Sequence, residues 1–108
     1  VDHDNLYYNF DPTNFYLGGS DPLTVLERHH HRILNGHIKD GVYRYRRREE
    51  VPIGAGEVPY REIFTRINEL GMDIAMNIEH CNSVQCVTAA AQFVHRVLSE
   101  LGIVPSVT

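Results

Sequence analysis

Asn35-Gly36-His37 decides the fold that this sequence predicts, because its pattern occurs three times along the chain. An Asn, one further residue and a possible metal ligand also follow one another in Asn9-Phe10-Asp11 and Asn77-Ile78-Glu79. Side chains two positions apart on a β-strand point to the same face of the sheet. Each run is therefore predicted to be a strand that presents an amide and a ligand on one face, with the ligand near its C-terminal end.

Helical patterns separate these strands and follow the last of them. We predict strands at residues 6–11, 33–39 and 73–79, helices at about 20–31, 59–70 and 83–101, a loop at 12–19 and a long loop at 40–57. Strands that alternate with helices favour a parallel sheet with crossover helices, that is, an α/β fold with a βαβαβα segment. In such sheets the functional side chains lie at the C-terminal ends of the strands.

The predicted helix ends rest on capping residues. Ser20 and Ser83 are predicted to cap the first and last helices, and Gly71 and Gly102 to follow the ends of the second and last. The buried stripe of the last helix is predicted to consist of apolar residues at helical spacing. These residues are Val87, Ala90, Val94, Val97, Leu98 and Leu101.

Composition excludes several classes of protein. The chain has 108 residues, 43% of them hydrophobic, and a net charge of −4. A negative net charge argues against nucleic acid and anionic membrane as partners. No apolar run approaches the roughly 20 residues of a membrane span, and no signal peptide is visible, so a cytoplasmic location is expected. Cys81 and Cys86 are accordingly expected to be reduced thiols.

The number of strands raises a question of completeness. A full (β/α)8 barrel needs about 250 residues, and three βα units are less than half of that. Three parallel strands leave two unpaired edges. Residues 1–108 are therefore expected to form a single incomplete domain. Either they are the C-terminal piece of a longer barrel, or other copies or another polypeptide complete the sheet; a small open domain ranks last.

The three ligands predict a metal site. Asp11, His37 and Glu79 on neighbouring parallel strands would converge on one spot, where Mn2+ or Mg2+ suits the donor set and Zn2+ also fits. The competing interpretations are a turn Asp before Pro12 and ordinary strand ends. Lys39, the only lysine, shares a strand face with His37.

Other clusters carry weaker signals. His29, His30 and His31 are consecutive on a predicted helix and point about 100° apart, so they cannot chelate one ion together. Arg44 and Arg46 could bind a substrate phosphate or carboxylate, although a solvated loop is slightly favoured. The glycines in 54–56 lack the spacing and the Lys of a phosphate-binding P-loop.

Several short motifs occur together in a specific order. They are Asp11-Pro12, Gly18-Gly19-Ser20-Asp21-Pro22, His37-Ile38-Lys39-Asp40, Pro52-Ile53-Gly54-Ala55-Gly56-Glu57-Val58 and a strand ending in Glu79. This ordered set resembles the xylose isomerase-like TIM-barrel superfamily, in particular the sugar phosphate isomerase/epimerase group. The resemblance covers nearly the whole chain and corresponds to the last three units of the (β/α)8 barrel. Asn14 replaces a second His of many relatives, and Ala55 replaces a common Glu.

The resemblance implies a metal-dependent enzyme. The family's metal is held by Glu, Asp, His and Glu; Asp11, His37 and Glu79 match the last three, and the first Glu would precede Val1. Mn2+ is the expected ion, with Mg2+, Co2+ or Zn2+ as alternatives. Glu79 would be ligand and proton shuttle, and Lys39 would stabilise developing negative charge. Behind the ligands a deeper layer would orient them. That layer consists of Asn9, Asn35 and Asn77.

The implied reaction is isomerisation or epimerisation of a sugar or related polyol ketone through an enediolate. Three alternatives remain: an inosose-type dehydratase at the same site, an abasic-site endonuclease with three zinc ions, and a non-catalytic half-barrel for binding or assembly. Asn14 in place of the second His speaks against the endonuclease. The expected partners are a small sugar or polyol and either an N-terminal barrel portion or further copies of the chain.

Overall fold

A computed structural model describes residues 8–44, 47–72, 74–79 and 83–104. It contains five strands and four α-helices in this part of the chain. In chain order they are β1 (Tyr8–Phe10), α1 (Pro12–Leu17), α2 (Pro22–His29), β2 (Ile33–Ile38), β3 (Asp40–Arg44), β4 (Arg47–Val51), α3 (Tyr60–Glu69), β5 (Ala75–Ile78) and α4 (Val84–Leu101). A short 3-10 helix, His30–Arg32, joins α2 to β2.

A parallel three-stranded sheet with the order β1-β2-β5 forms the centre of the fold. The predicted α/β fold with parallel strands is thus confirmed, although Leu6 lies outside the described residues. In register, Asn9 lies beside Asn35, but Asn77 lies beside His37 rather than Asn35. Asn77 therefore lies at the level of His37 and not at that of the other two amides, because the strands of a barrel sheet are staggered. The orienting role of these three residues stays a prediction.

One face of this sheet is covered by helices and the other is open. Phe10 and Ile38 are buried on the helix side, while Asn9, Asn35 and Asn77 are exposed on the opposite side. The alternation follows from the two-residue period of a strand. The helix side belongs to the hydrophobic core. Its buried members are Phe10, Leu26, Ile33, Ile38, Val58, Tyr60, Ile63, Phe64 and Val97.

The segment after β1 is a helix rather than the predicted loop. Asp11 caps α1, since its Oδ1 accepts a hydrogen bond of 2.9 Å from the backbone N–H of Asn14, and Pro12 occupies the first turn. Proline suits this position because its missing N–H would have no helical partner. The next helix is capped by Asp21, not by Ser20: its Oδ1 accepts from the N–H of Leu23 at 3.1 Å.

The remaining predicted helix ends agree with the structure. Ser83 accepts a hydrogen bond from the N–H of Cys86 at 3.0 Å and caps α4. Gly71 and Gly102 follow α3 and α4 with φ angles of 66° and 72°, a region that favours glycine. The predicted buried stripe of α4 is wrong at Val87, which is 44% exposed.

An antiparallel hairpin replaces most of the predicted loop at 40–57. Strands β3 and β4 pair from Asp40 with Val51 to Arg44 with Arg47. The sequence does not predict this hairpin, because strand β4 has charged, exposed residues and no buried one, and so lacks the apolar–polar alternation typical of a strand. The hairpin begins directly after Lys39, so that it stands beside the C-terminal edge of the parallel sheet.

Asp40 fixes the chain that follows the hairpin. It is 2% exposed, and its carboxylate accepts hydrogen bonds from four backbone N–H groups at 2.9 to 3.2 Å. The donors are Gly41, Gly54, Gly56 and Val58. A Cβ at Gly56 would lie 2.1 Å from Asp40 Oδ1, so only glycine fits there. The glycine-rich loop thus surrounds the protein's own carboxylate.

Two further findings concern cysteine chemistry and membranes. Cys86 is disulfide-bonded, so the expected reduced thiol is wrong at this position; Cys81 lies outside the described residues.

None of the helices in the described ranges combines the length and the apolar character that a membrane crossing requires. The cytoplasmic location stays a prediction.

Replacing Asp40 with Asn should destabilise the fold. The amide NH2 would face backbone donors, so buried N–H groups would lose their acceptor at a cost of about 2–4 kcal/mol. Asp21→Asn is the matched control, because Asn caps helices about as well as Asp. Urea denaturation followed by circular dichroism measures both free energies of unfolding. Equal values for the two variants would contradict the role given to Asp40.

Candidate metal and active site

Three side chains with metal-binding atoms meet at the C-terminal edge of the parallel sheet. Asp11, His37 and Glu79 each offer one ligand atom, and these atoms lie within 4.8 Å of one another. His37 Nδ1 is 2.9 Å from Glu79 Oε1 and 3.9 Å from Asp11 Oδ2. The chain thus brings together the three residues that the sequence predicted as ligands, and Nδ1 is the imidazole nitrogen that faces both carboxylates.

Each of the three is placed by the end of a strand. Asp11 follows β1, and His37 is the penultimate residue of β2. Glu79 follows β5, where its backbone N–H donates to the carbonyl of Ile38 at 3.0 Å. This bond fixes the backbone of Glu79, directly after β5, against the last residue of β2.

Asp11 serves two functions with its two oxygens. Oδ1 caps α1 through Asn14, and Oδ2 faces His37 Nδ1 and the ammonium of Lys39, 3.2 Å away. The turn interpretation and the ligand interpretation of this residue are therefore compatible. The helix cap holds the carboxylate in one orientation, which leaves Oδ2 directed at the site.

Lys39 places a buried positive charge among the carboxylates. Its side chain is 7% exposed, and Nζ lies 3.2 Å from Asp11 Oδ2, 3.8 Å from Glu79 Oε2 and 3.7 Å from Glu50 Oε1. A buried ammonium requires such partners, because desolvation of an unpaired charge is costly. Lys39 therefore balances part of the negative charge of the two candidate ligand carboxylates.

The backbone of Lys39 is held from below by two hydroxyl groups. Its N–H donates to the phenol oxygen of Tyr60 at 3.1 Å, and its carbonyl accepts hydrogen bonds from the hydroxyls of Tyr60 and Thr13. Thr13 is fully buried and Tyr60 is 2% exposed. Burial is the largest cause that raises the pKa of Tyr60 above its ordinary value, so the phenol stays protonated and can donate.

A cavity of about 510 Å³ opens above this cluster. Its lining combines the candidate ligands with Lys39 and three neighbours from β1 and α1. These lining residues are Asn9, Asp11, Asn14, Phe15, His37, Lys39 and Glu79. The volume and the polar groups suit a small hydroxylated molecule.

The other predicted site residues are placed differently. Asn9 lies beside the ligands, with its side-chain Nδ2 3.2 Å from His37 Nδ1, whereas Asn35 and Asn77 do not line the cavity in the described part of the chain. Arg44 ends β3 at the far tip of the hairpin, four residues beyond Asp40. Arg46 lies outside the described residues.

The donor set fits a divalent cation on its chemistry. Two carboxylates and one imidazole are the ligands that Mn2+, Mg2+ or Zn2+ accept, and a cation bound among them would take over part of the charge that Lys39 now balances. Their exposed fractions also fit, since His37 and Glu79 are 26% and 31% exposed and can be reached from the cavity. The identity of the metal stays a prediction.

The chain is similar to a known protein family. The family profile described as "Xylose isomerase-like TIM barrel" matches residues 1–97. The chain belongs to the xylose isomerase-like TIM-barrel family. The predicted family is thus confirmed, and the βαβαβα segment is part of a TIM barrel.

A solved structure shows the same fold. It is the xylose isomerase domain protein from Planctomyces limnophilus, which superposes with a TM-score of 0.78 at 23% sequence identity. The match covers 94% of this chain and 41% of that protein, so the chain spans less than half of its length. No curated protein matches the chain.

Sequence reasoning missed four residues that build the site. Thr13 and Tyr60 hold the backbone of Lys39, Asp40 anchors the loop, and Glu50 reaches the ammonium from β4. Their roles depend on contacts across 11 to 47 positions of sequence, which local spacing cannot reveal. Of these four residues, only Asp40 belongs to a motif that the sequence analysis connected with the site, His37-Ile38-Lys39-Asp40.

The buried phenol should make stability depend on alkaline pH. A raised folded pKa means that the contribution of Tyr60 is complete below its unfolded pKa of about 10 and is lost as the pH rises above it. The difference in unfolding free energy between wild type and Tyr60→Phe should therefore shrink between about pH 9 and about pH 11. Urea denaturation at both pH values measures it, with Tyr43→Phe, which removes a more exposed phenol, as the control. A difference independent of pH would contradict this.

Proposed function

We propose that the chain carries most of the metal site of a divalent-metal-dependent isomerase or epimerase that acts on a sugar or related polyol ketone. The observation that supports this most is the convergence of Asp11, His37 and Glu79 within 4.8 Å beside a buried Lys39. Membership of the xylose isomerase-like family supports the reaction class in general terms. We favour Mn2+ as the metal, because oxygen ligands outnumber nitrogen in this set.

The side chains have distinct tasks in this mechanism. A bound cation would supply Lewis-acid polarisation of the substrate carbonyl, which acidifies the adjacent C–H. Glu79, which faces the cavity, accepts that proton on a carboxylate oxygen. In isomerisation it returns the proton to the former carbonyl carbon, while the proton of the adjacent hydroxyl passes to the former carbonyl oxygen; in epimerisation a proton returns to the same carbon from the opposite face. Lys39 donates a hydrogen bond from Nζ to the oxygen on which negative charge develops in the enediolate. Asp11 and His37 would hold the cation together with Glu79.

Lys39 is well prepared for this task. Tyr60 and Thr13 fix its backbone, and three carboxylates restrain its ammonium, so that little reorganisation is required during the reaction. Glu79 contacts both His37 and Lys39 through different oxygens. Its carboxylate therefore stands between the candidate metal site and the ammonium of Lys39.

The proposal includes further barrel strands. The edges of the sheet are β1 and β5, and the polar face that carries Asn9, Asn35 and Asn77 is exposed. Since the chain spans 41% of the solved relative, we propose that an N-terminal barrel portion or another copy completes the barrel and supplies the remaining ligand. A small sugar or polyol is the proposed substrate, and neither nucleic acid nor membrane is proposed as a partner.

Removal of the imidazole should abolish tight metal binding. Loss of a residue that only hydrogen-bonds to a metal ligand already lowers metal affinity by about 10–100-fold. Loss of a ligand itself, in His37→Ala, should therefore weaken Mn2+ affinity by more than about 100-fold. His95→Ala, on an exposed position of α4, is the matched control and should retain the wild-type affinity. Calorimetric titration with Mn2+ and elemental analysis after dialysis measure the effect. Unchanged binding in His37→Ala would refute the metal site.

Replacement of Lys39 should separate binding from chemistry. Lys39→Met removes the ammonium but no ligand, so Mn2+ should bind at least as tightly, because a neighbouring positive charge is lost. Proton exchange between D2O and the carbon next to the carbonyl of a ketose should fall by about 100-fold or more. NMR of a ketose panel with the complete protein measures exchange, circular dichroism verifies folding, and Lys39→Arg tests rescue. Undiminished exchange in folded Lys39→Met would refute the role of Lys39.

A further inference from the structure

Asn9 differs from the other two asparagines of the repeated strand pattern, because its side chain contacts a candidate metal ligand. Its Nδ2 lies 3.2 Å from His37 Nδ1, and the residue lines the cavity above the candidate metal site. Asn35 and Asn77, which the structure also describes, do not line that cavity. Asn9 therefore interacts with the same imidazole nitrogen that faces the two candidate ligand carboxylates.

A change of register between β1 and β2 brings Asn9 to this position. Tyr8 lies beside Ile33. The next residue, Asn9, lies beside Asn35, so the pairing passes over one residue of β2. His37 follows Asn35 by two positions and uses the same face of the strand. Without the shift, Asn9 would lie one position further from His37. Irregularities of this kind re-aim side chains next to functional sites.

One imidazole nitrogen cannot serve an amide and a cation at the same time. A ring nitrogen has a single direction, in the plane of the ring, in which it either carries a proton or offers a lone pair. A metal ion binds to the lone pair, so the nitrogen must give up its hydrogen bond in that direction. The contact of His37 Nδ1 with the amide of Asn9 therefore belongs to the site without a cation.

The other neighbours of His37 Nδ1 are compatible with a cation. Glu79 Oε1, 2.9 Å away, and Asp11 Oδ2, 3.9 Å away, belong to carboxylates that are candidate ligands themselves. A cation attracts these carboxylates, whereas it repels the N–H donors that the neutral amide of Asn9 presents. Of these three partners of Nδ1, Asn9 is thus the one that a cation has to displace.

We infer that Asn9 is a positioning residue that occupies His37 Nδ1 in the site without a cation and is displaced when a cation enters. The contact holds the imidazole ring in place beside the two carboxylates. It also weakens cation binding, because the hydrogen bond is lost when the site is loaded. The inference rests on the proposed function. The family resemblance implies the opposite sign, since a residue that only supports the ligands strengthens metal binding.

Calorimetric titration of the complete protein with Mn2+ tests the sign of this effect. The net contribution of one hydrogen bond corresponds to a factor of about 2 to 10 in an equilibrium constant. Asn9→Leu should therefore bind Mn2+ about 2- to 10-fold more tightly than wild type. Asn68→Leu is the matched control, because it replaces an exposed amide on α3 in the same way, and it should retain the wild-type affinity.

A second measurement follows the amide of Asn9 itself. In 15N-labelled wild-type protein, the side-chain NH2 signals of Asn9 should move when Mg2+ is added, because their partner on His37 is lost. In His37→Ala the same signals should lie near this released position without Mg2+ and should not respond to it. Circular dichroism verifies folding of the variants; if Asn9→Leu does not fold, the wild-type NH2 signals decide.

The possible outcomes separate this inference from the proposed function. Weaker or unchanged Mn2+ binding in folded Asn9→Leu would overturn the inference and leave the metal site standing. Asn9 signals that ignore Mg2+ in a wild-type protein that binds metal would do the same. Equal tightening in Asn68→Leu would also overturn it, because the effect would not depend on the contact with His37. Wild-type protein without affinity for Mn2+ would refute the metal site and the inference together.

Discussion

The contact between the buried ammonium of Lys39 and the carboxylate of Asp11 is the interaction on which the site depends. The two groups are 7% and 9% exposed and 3.2 Å apart, so neither is stabilised mainly by water. Pairs of this kind tolerate removal of one partner poorly, since the other remains as an unbalanced buried charge. The strand ends that carry Asp11 and Lys39 are therefore held at a fixed separation, and Glu79 and Glu50 are arranged around the same charge.

The surrounding fold restrains this pair through backbone contacts. Asp11 is held by the helix that it caps, and Lys39 by Tyr60 and Thr13 on two different helices. The adjacent Asp40 gathers the chain after the hairpin with four hydrogen bonds from backbone N–H groups. Consecutive residues thus have opposite tasks, since the lysine faces the site and the aspartate organises the loop beside it. Their alternation on an extended backbone makes this division possible.

The sequence predicted the features that local patterns encode. Residues that end strands are recognisable from the two-residue period, so Asp11, His37 and Glu79 could be expected at one edge. The stagger that moves Asn77 beside His37 depends on pairing between strands, and the hairpin was concealed by its charged exposed face. Tyr60 could not be recognised as a support of Lys39, because an aromatic residue at the start of a helix predicts only packing. The disulfide at Cys86 contradicts an expectation derived from compartment rather than from contacts.

Charge balance connects the candidate metal site, Lys39 and the hairpin. Asp11 and Glu79 together carry two negative charges, which Lys39 alone balances only in part; a divalent cation could balance both. The ammonium of Lys39 would then interact most strongly with Glu50, because Glu50 is the one of its three acidic partners that is not a candidate metal ligand. Binding of a cation would thus strengthen the pairing of Lys39 with the hairpin and leave its remaining donors for substrate oxygen. The position of Glu50 is for this reason a property of the metal site as much as of the hairpin.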